Sequence, residues 1–400
     1  MKSLYRKNGN FNLIDIALGY FLIVASSFMV SKYGSYSRSY VFFVLFLFLF
    51  LILTRGKLIY PKHYIALIPL GFLSIWIYGF ALGVARGNEI SYILSNFIGI
   101  LVYVLFYCFY SLKILGKKIT KLLLIVSGTV VVLTLVAYID MYILKNMYFL
   151  KIPILKDFQM ANTVEYGSRE LIYIAYLYYL YKVLFLKQYK IGYILMVLFA
   201  WIAELKCIQS GGDTLAICAL TGILLVIWAY KKWDKRFFYC VVLAGMGVVI
   251  LLFMWPQSPI YVLFSPDDYG NSVRYGQIEV MLEELNFWGY GLGATFGERI
   301  GNAYAIEVIY LNIFHKFGFL AIFMLISYIY TVLAAIGIIL KTEDDATAVI
   351  PLACMGYLIP SLANPMLFAP PHVLIHCVAL LLIYERKKSN EYLINRNELL

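Results

Sequence analysis

Charge is scarce in this sequence, and its scarcity decides the class of protein. Only 14% of the 400 residues are Asp, Glu, Lys or Arg, whereas 63% are hydrophobic. A soluble domain has about a quarter charged residues and about half apolar ones. A soluble fold is therefore excluded. The sequence predicts an all-α, polytopic membrane helical bundle, whose helices satisfy their own backbone hydrogen bonds within the bilayer.

Signatures of nucleotide and metal binding are also missing. The chain has no GxxxxGK[ST] motif and no GxGxxG after a strand, which disfavours an ATP-driven motor. Its six cysteines form no CxxC pair, so we interpret them as small apolar side chains rather than disulfides or metal ligands. His372 and His376 have a spacing that can hold a metal, but no third ligand is near in sequence, so we predict no metal site.

Long apolar runs take up most of the chain, and a membrane span needs about 20 apolar residues. The sequence contains about twelve apolar runs, several of them shorter than the usual range of about 17 to 25 residues. The predicted spans are Leu13–Val30, Tyr40–Leu53, His63–Val84, Ile90–Leu112, Leu122–Leu144, Leu171–Leu186, Ile191–Leu205, Thr214–Tyr230, Phe237–Trp255, Phe319–Leu340, Ala346–Pro360 and His372–Tyr384. Residues 1–400 thus form a single integral membrane domain.

The formal net charge of +11 comes from short Lys and Arg clusters between the apolar runs. The clusters fall in alternate loops, as they do on the cytoplasmic side of membrane proteins. This arrangement predicts that both termini are cytoplasmic and disfavours nucleic-acid binding. It places a medium loop at 145–169 and a large loop at 256–305 on the outer side.

The large outer loop carries most of the chemistry that the sequence offers. Val273–Leu285 has apolar residues at helical spacing, which predicts a short amphipathic helix with Arg274 in its first turn. A guanidinium group suits phosphate oxygens, although pairing with a loop carboxylate is the alternative. The glycines of 289–297 (GYGLGATFG) predict a flexible or tightly turned loop wall.

The apolar stretch Ile306–Leu340 is too long for one span, so we expect a separate piece before Phe319–Leu340. Glu307 lies at its start among apolar residues and is a candidate general base. Pairing of Glu307 with Arg299 or Arg274 is an equal alternative. His315 and its neighbour Lys316 are expected mainly to anchor the entrance of the span at the interface.

Two further cations lie near predicted outer ends. Arg169 closes the medium loop, where it either extends to the interface or contacts an anion. Lys206 lies between two spans close to Asp213, and mutual neutralisation of these charges is the simpler interpretation.

The order Arg274, FWGYGLG at 287–293, then Glu307 in EVIYLNIFHKFGFLAIF resembles the O-antigen polymerase and O-antigen ligase superfamily of membrane glycosyltransferases. The resemblance covers about 160–340 by motif and the first 150 residues by hydropathy only. Glu307 stands where many ligases have His. The chain departs from the family at 209–214, where QSGGDT lacks the Arg of a Ser-Arg-Gly turn, so the second phosphate contact is open.

The resemblance implies polymerisation of oligosaccharide repeat units carried on undecaprenyl pyrophosphate, at the outer face of the bacterial cytoplasmic membrane. It implies a metal-independent enzyme without a cofactor, in contact with membrane lipid and with a chain-length regulator protein as a candidate partner. Arg274 would stabilise the departing pyrophosphate and Glu307 would accept the proton. Arg169, Arg299, Lys206 and His315 are the candidate substrate-binding residues. A lipid-linked oligosaccharide flippase and an O-antigen ligase stay open as alternatives.

Overall fold

The computed structural model describes residues 47, 60–145, 159–160, 165–166, 171–207, 211–255, 261, 265, 269–296, 308–342, 346–362 and 367–397. The first two predicted spans lie outside these residues, apart from Leu47. Within the described part the chain is almost entirely helical, in agreement with the predicted fold class.

The α-helices are numbered here in chain order, and short 3-10 or π turns extend several of them. They are α1 (Leu67–Ala85), α2 (Ile90–Ile98), α3 (Val104–Ser111), α4 (Lys117–Tyr138), α5 (Ile172–Leu184), α6 (Ile191–Cys207), α7 (Gly211–Lys232), α8 (Lys235–Met254), α9 (Tyr269–Glu283), α10 (Ile309–Phe317), α11 (Ala321–Lys341), α12 (Ala353–Leu358) and α13 (Pro370–Asn397). The 3-10 and π turns are Tyr64–Ala66, Gly99–Tyr103, Ile139–Ile143, Gly318–Leu320, Ala346–Leu352 and Pro360–Leu362.

A small antiparallel pair is the only extended structure in the described residues. Strand β1 (Gln159–Met160) pairs with β2 (Glu165–Tyr166), with Gln159 opposite Tyr166 and Met160 opposite Glu165. Both strands belong to the predicted medium loop.

Six helical segments of the described residues are long and apolar enough to cross a membrane. They are Tyr64–Ala85, Ile90–Ser111, Lys117–Tyr138, Leu215–Lys232, Lys235–Met254 and Ile309–Lys341. Three shorter apolar helical segments accompany them, Ile172–Leu184, Ile191–Glu204 and Ala346–Leu362. The prediction of a helical membrane protein is therefore confirmed, while the count of about twelve spans stays a prediction.

The last long apolar segment contains a break, as the sequence predicted. Helix α10 ends at Phe317, and Gly318 follows with a φ of 56°, a conformation that costs little only for glycine. Helix α11 then begins at Ala321 and is by itself long enough to span a bilayer. The short helix α10 is thus a separate element that precedes the span.

Two lysines contact parts of the chain far from them in sequence, near the start of α1 and the end of α11; this end of the bundle is here called the basic end. The Nζ atom of Lys387 donates to the hydroxyls of Tyr64 and Tyr330, and Lys231 Nζ donates to the carbonyl of Thr342 at 3.0 Å. Helix α1 leads away from this end, so its last residues lie at the opposite end.

The middle of the bundle contains a buried polar network. His376 on α13 contacts the Tyr103 hydroxyl through Nδ1 at 2.5 Å and the Thr331 hydroxyl through Nε2 at 3.0 Å. The ring of Tyr328 stacks on the imidazole at 4.0 Å between centroids. Both imidazole nitrogens therefore have partners, as buried polar atoms require, and the network links α13 to α11 and to the turn after α2.

Candidate functional site at the glycine-loop end

The site begins with the turn that ends α1. Arg86 is the C-terminal cap, and Gly87 follows with a φ of 74°. The Gly87 amide donates to the Val84 carbonyl and the Asn88 amide to the Gly83 carbonyl, both at 3.0 Å. This is the pattern of a Schellman motif, which satisfies the last carbonyls of a helix. The motif fixes the backbone of Arg86 and Asn88 beyond the end of α1.

Asn88 connects this turn to the segment Phe287–Gly293, here called the glycine loop. Its Nδ2 atom donates to the carbonyls of Tyr290 at 3.0 Å and Leu292 at 2.8 Å. The Leu292 amide in turn donates to the carbonyl of Gly79 on α1 at 2.8 Å. The loop is therefore fastened to the end of α1 through backbone groups.

Two glycines on α1 make room for this approach. Gly79 and Gly83 are four residues apart and lie on the same face of the helix. A Cβ atom at Gly83 would lie 2.3 Å from the Leu292 carbonyl oxygen, closer than non-bonded atoms can approach. The pair forms a notch in α1 that receives the glycine loop.

The loop also covers the C-terminus of α10. The amide of Tyr290 donates to the His315 carbonyl at 2.8 Å, and the amide of Gly291 donates to the Lys316 carbonyl at 2.9 Å. These carbonyls belong to the last turn of a helix, where no intrahelical donor is available. The loop is thus the tightly turned wall that the sequence allowed, with φ values of 79°, 82° and 74° at Gly289, Gly291 and Gly293.

Four planar side chains contact one another in a row at the glycine loop. The guanidinium carbon of Arg86 lies 4.7 Å from the centre of the Tyr290 ring. Tyr290 stacks on His315 at 4.6 Å between centroids, and His315 contacts the Phe296 ring at 3.9 Å. Arg86 is the exposed end of this stack, and His315, which is 1% exposed, lies inside it.

Lys316 is buried beside His315 and points toward α2. Its side chain is 9% exposed, and its Nζ atom donates to the Asn96 Oδ1 atom at 2.9 Å. Asn96 is itself fixed because its carbonyl accepts from the Trp76 indole at 2.9 Å. The expectation that His315 and Lys316 anchor the protein at the membrane interface is therefore not met, because α10 turns both side chains into the protein.

Glu284 brings a carboxylate to the same cluster. Its Oε2 atom lies 3.7 Å from His315 Nε2. The His315 Nδ1 atom and the Asn312 Oδ1 atom are buried without a hydrogen-bond partner among the described residues. Asn312 and Lys316 are four residues apart on α10 and share a face of that helix. The glycine-loop end thus combines two cations, an imidazole, an amide and a carboxylate.

Arg274 lies on α9, which packs against α10. The predicted helix exists, but Val273, Leu282 and Leu285 of its predicted apolar face are exposed. It begins at Tyr269 rather than Val273, so Arg274 lies in the second turn and not the first. The Arg274 Nη1 atom donates to the Asn271 Oδ1 atom one turn earlier at 2.9 Å. The Asn271 side chain donates to the Ser265 carbonyl at 3.0 Å, so this arginine is held in a defined place by its own helix.

The structure brings one predicted site residue into the cluster and leaves others untested. His315 belongs to it, and Arg274 lies on the neighbouring helix. Lys206 is in α6, but its side chain is outside the described part of the chain. Arg169, Arg299 and Glu307 also lie outside the described residues.

Sequence reasoning did not single out Arg86, Asn88 or Asn96, and it assigned Lys316 to the membrane interface. The one available signal was the Arg-Gly-Asn sequence at 86–88, since a glycine after a basic residue is typical of a helix C-terminus. That signal predicts the turn but not which distant segment docks on it.

His372 and His376 are four residues apart on α13, a spacing that can hold a metal ion. His376 is engaged by two hydroxyls, and His372 stacks on the Tyr357 ring at 4.3 Å between centroids. Among the described residues, no group of three or more His, Cys, Asp or Glu side chains is arranged to hold a metal ion.

No protein-family model matches the chain, and no curated protein is significantly similar to it.

Proposed function

We propose that this protein polymerises oligosaccharide repeat units linked to undecaprenyl pyrophosphate, at the outer face of the bacterial cytoplasmic membrane. The observation that carries the proposal is the cluster at the glycine-loop end. The segment that follows Arg274 is fastened there beside Arg86, His315 and Lys316. A glycosyl diphosphate substrate needs cations at the membrane surface, and this end supplies them.

The proposed topology has about twelve spans, both termini in the cytoplasm and the loops 145–169 and 256–305 outside. This topology is supported by the positions of Lys231 and Lys387 at the basic end, since Lys and Arg favour the cytoplasmic side of a membrane. The glycine loop docks on the far end of α1, which is then the outer end.

The proposed reaction is a glycosyl transfer. A hydroxyl oxygen of one repeat unit attacks the anomeric carbon of another, and the bond between that carbon and the pyrophosphate oxygen breaks. Glu307 takes the hydroxyl proton, and the electron pair leaves with the lipid pyrophosphate, whose charge Arg274 stabilises. Because the broken bond supplies the driving force, the proposed reaction uses no nucleotide and no metal. Arg169, Arg299, Lys206 and His315 are the proposed further contacts to substrate.

A glycan gel of a deletion strain tests the proposal. Loss of the long-chain ladder with one repeat unit retained is the result expected for a polymerase. Complementation with Arg274→Ala or Glu307→Gln should leave the protein in the membrane but fail to restore the ladder. Glu279→Gln is the matched control, because Glu279 is an exposed carboxylate on α9 and should restore it.

Other outcomes contradict the proposal. Accumulation of single repeat units on the cytoplasmic face of the membrane would indicate a flippase. Full-length glycan that stays on the lipid carrier, with no transfer to an acceptor, would indicate a ligase. Ladders of normal length from both variants would remove the assigned roles of Arg274 and Glu307.

A further inference from the structure

Arg86 is held in an unusual way for an exposed arginine. Its backbone is fixed as the cap of α1, and Gly87 and Asn88 complete the hydrogen bonds of that turn. Its guanidinium lies against the face of Tyr290, which is itself stacked on buried His315. An arginine fixed in this way loses less conformational freedom when it binds a ligand.

The contacts of Arg86 leave its hydrogen-bond donors available. Stacking on an aromatic ring uses the face of the guanidinium, whereas its N–H groups lie in the plane at the edge. No ion pair of Arg86 is found in the described part of the chain. The nearest acid in sequence, Glu89, accepts a hydrogen bond from the Ser91 hydroxyl instead. Arg86 is exposed, so the fork of N–H donors on its guanidinium is accessible to a ligand.

Such a fork matches the oxygens of a phosphate group, which it can bind through two parallel hydrogen bonds. The cluster holds charges of both signs, since the Glu284 carboxylate lies 3.7 Å from His315. Lys316 is buried next to His315 and donates to Asn96, so a second cation belongs to the same cluster. The sequence left the second phosphate-binding cation open, and the structure offers this arginine at the glycine-loop end.

We propose that Arg86 binds a phosphate group of the lipid-linked glycan at the glycine-loop end. The inference rests on the proposed function for the identity of the ligand. The chemistry of recognition is independent of the proposed function: a guanidinium that lies on a tyrosine ring binds a diphosphate.

Binding of undecaprenyl pyrophosphate to the full-length protein in nanodiscs tests this proposal. Arg86→Ala should weaken the affinity by about tenfold or more, since a charge-assisted hydrogen bond is lost. Arg86→Lys keeps the charge at the end of α1 but lacks the fork, and it should also weaken binding. Arg236→Ala is the matched control. Arg236 is an exposed arginine in the first turn of α8, beside Lys235. This variant should bind undecaprenyl pyrophosphate as tightly as the wild type does.

A stacking variant separates orientation from charge. Tyr290→Ala retains the arginine and the loop backbone but removes the ring that holds the guanidinium, so binding should weaken although no charge is lost. Inorganic pyrophosphate as a competitor identifies the recognised group. Competition that disappears in Arg86→Ala supports recognition of the diphosphate, and competition that is unchanged in this variant would overturn it.

The failures of the two proposals can be told apart. If Arg86→Ala binds the lipid pyrophosphate as tightly as the wild type does, the role of Arg86 is wrong, whatever the glycan gel shows. If binding depends on Arg86 but the deletion strain keeps a normal ladder, the diphosphate site stands and the polymerase function fails.

Discussion

At the residue scale, Gly291 shows how closely the glycine loop approaches α1. Its φ of 82° lies in the region that favours glycine, and a Cβ atom there would meet the backbone nitrogen of Gly83 at 2.2 Å. Backbone atoms cannot move aside as the end of a flexible side chain can. Any larger residue at this position must therefore push the loop away from the helix.

Gly291→Ala should lower the free energy of unfolding by about 1–3 kcal/mol or more, because the strained φ and the steric clash act together. Thermal unfolding of the purified protein in detergent should show a lower melting temperature. Gly245→Ala on α8 is the control, because a Cβ atom there has nothing within 4 Å, and this variant should melt near the wild type. Equal melting temperatures of the two variants would mean that the loop does not pack on α1 as described.

At the element scale, the glycine loop joins the neighbouring helices α1 and α2 to α10, which follows more than two hundred positions later in the sequence. Asn88 holds the loop from the side of α1, while the carbonyls of His315 and Lys316 hold it from the side of α10. Each hydrogen bond contributes only about 0.5–1.5 kcal/mol net, so the joint depends on several of them acting together. Loss of the Asn88 amide removes two at once.

Asn88→Ala should therefore increase local opening of the loop. We expect amide hydrogen exchange in a peptide covering 287–293 to accelerate roughly tenfold, since two hydrogen bonds of this size change the opening equilibrium by that order. Hydrogen exchange with mass spectrometry on the detergent-solubilised protein measures it. Exchange in α4 serves as the internal reference and should not change; if both regions accelerate equally, the variant has loosened the whole bundle instead.

At the scale of the whole molecule, the described part of the chain is a set of apolar helices with the glycine-loop cluster and the basic end as two separate polar regions. Helix α8 indicates what surrounds the protein, because only 6% of an 18-residue apolar stretch of this helix is buried inside the protein. An apolar helix of this length with so little burial is stable only where its outer faces meet lipid or another apolar surface. The basic end and the glycine-loop end should then lie on opposite sides of the membrane.

Cysteine labelling in intact cells checks this arrangement. In a background without the native cysteines, Trp288→Cys should react with a membrane-impermeant maleimide added outside, because Trp288 is exposed on the glycine loop. Lys232→Cys, at the exposed end of α7, should react only after the cells are permeabilised. Labelling of both positions from outside, or of Lys232→Cys alone, would contradict the proposed orientation.

The amino-acid sequence by itself determined the class of protein and the break at Gly318, because apolar length and a glycine at a helix end are local properties. It also predicted a helix around Arg274 and tight turns at the glycines of 289–293. Only the tertiary structure showed that Arg86 and Asn88 contact the glycine loop, and that Asn96 contacts Lys316. These contacts join residues that are about two hundred positions apart, and no local pattern encodes which notch receives which loop. The interface role expected for Lys316 was wrong for the same reason: the burial of a lysine depends on what the rest of the chain packs against it.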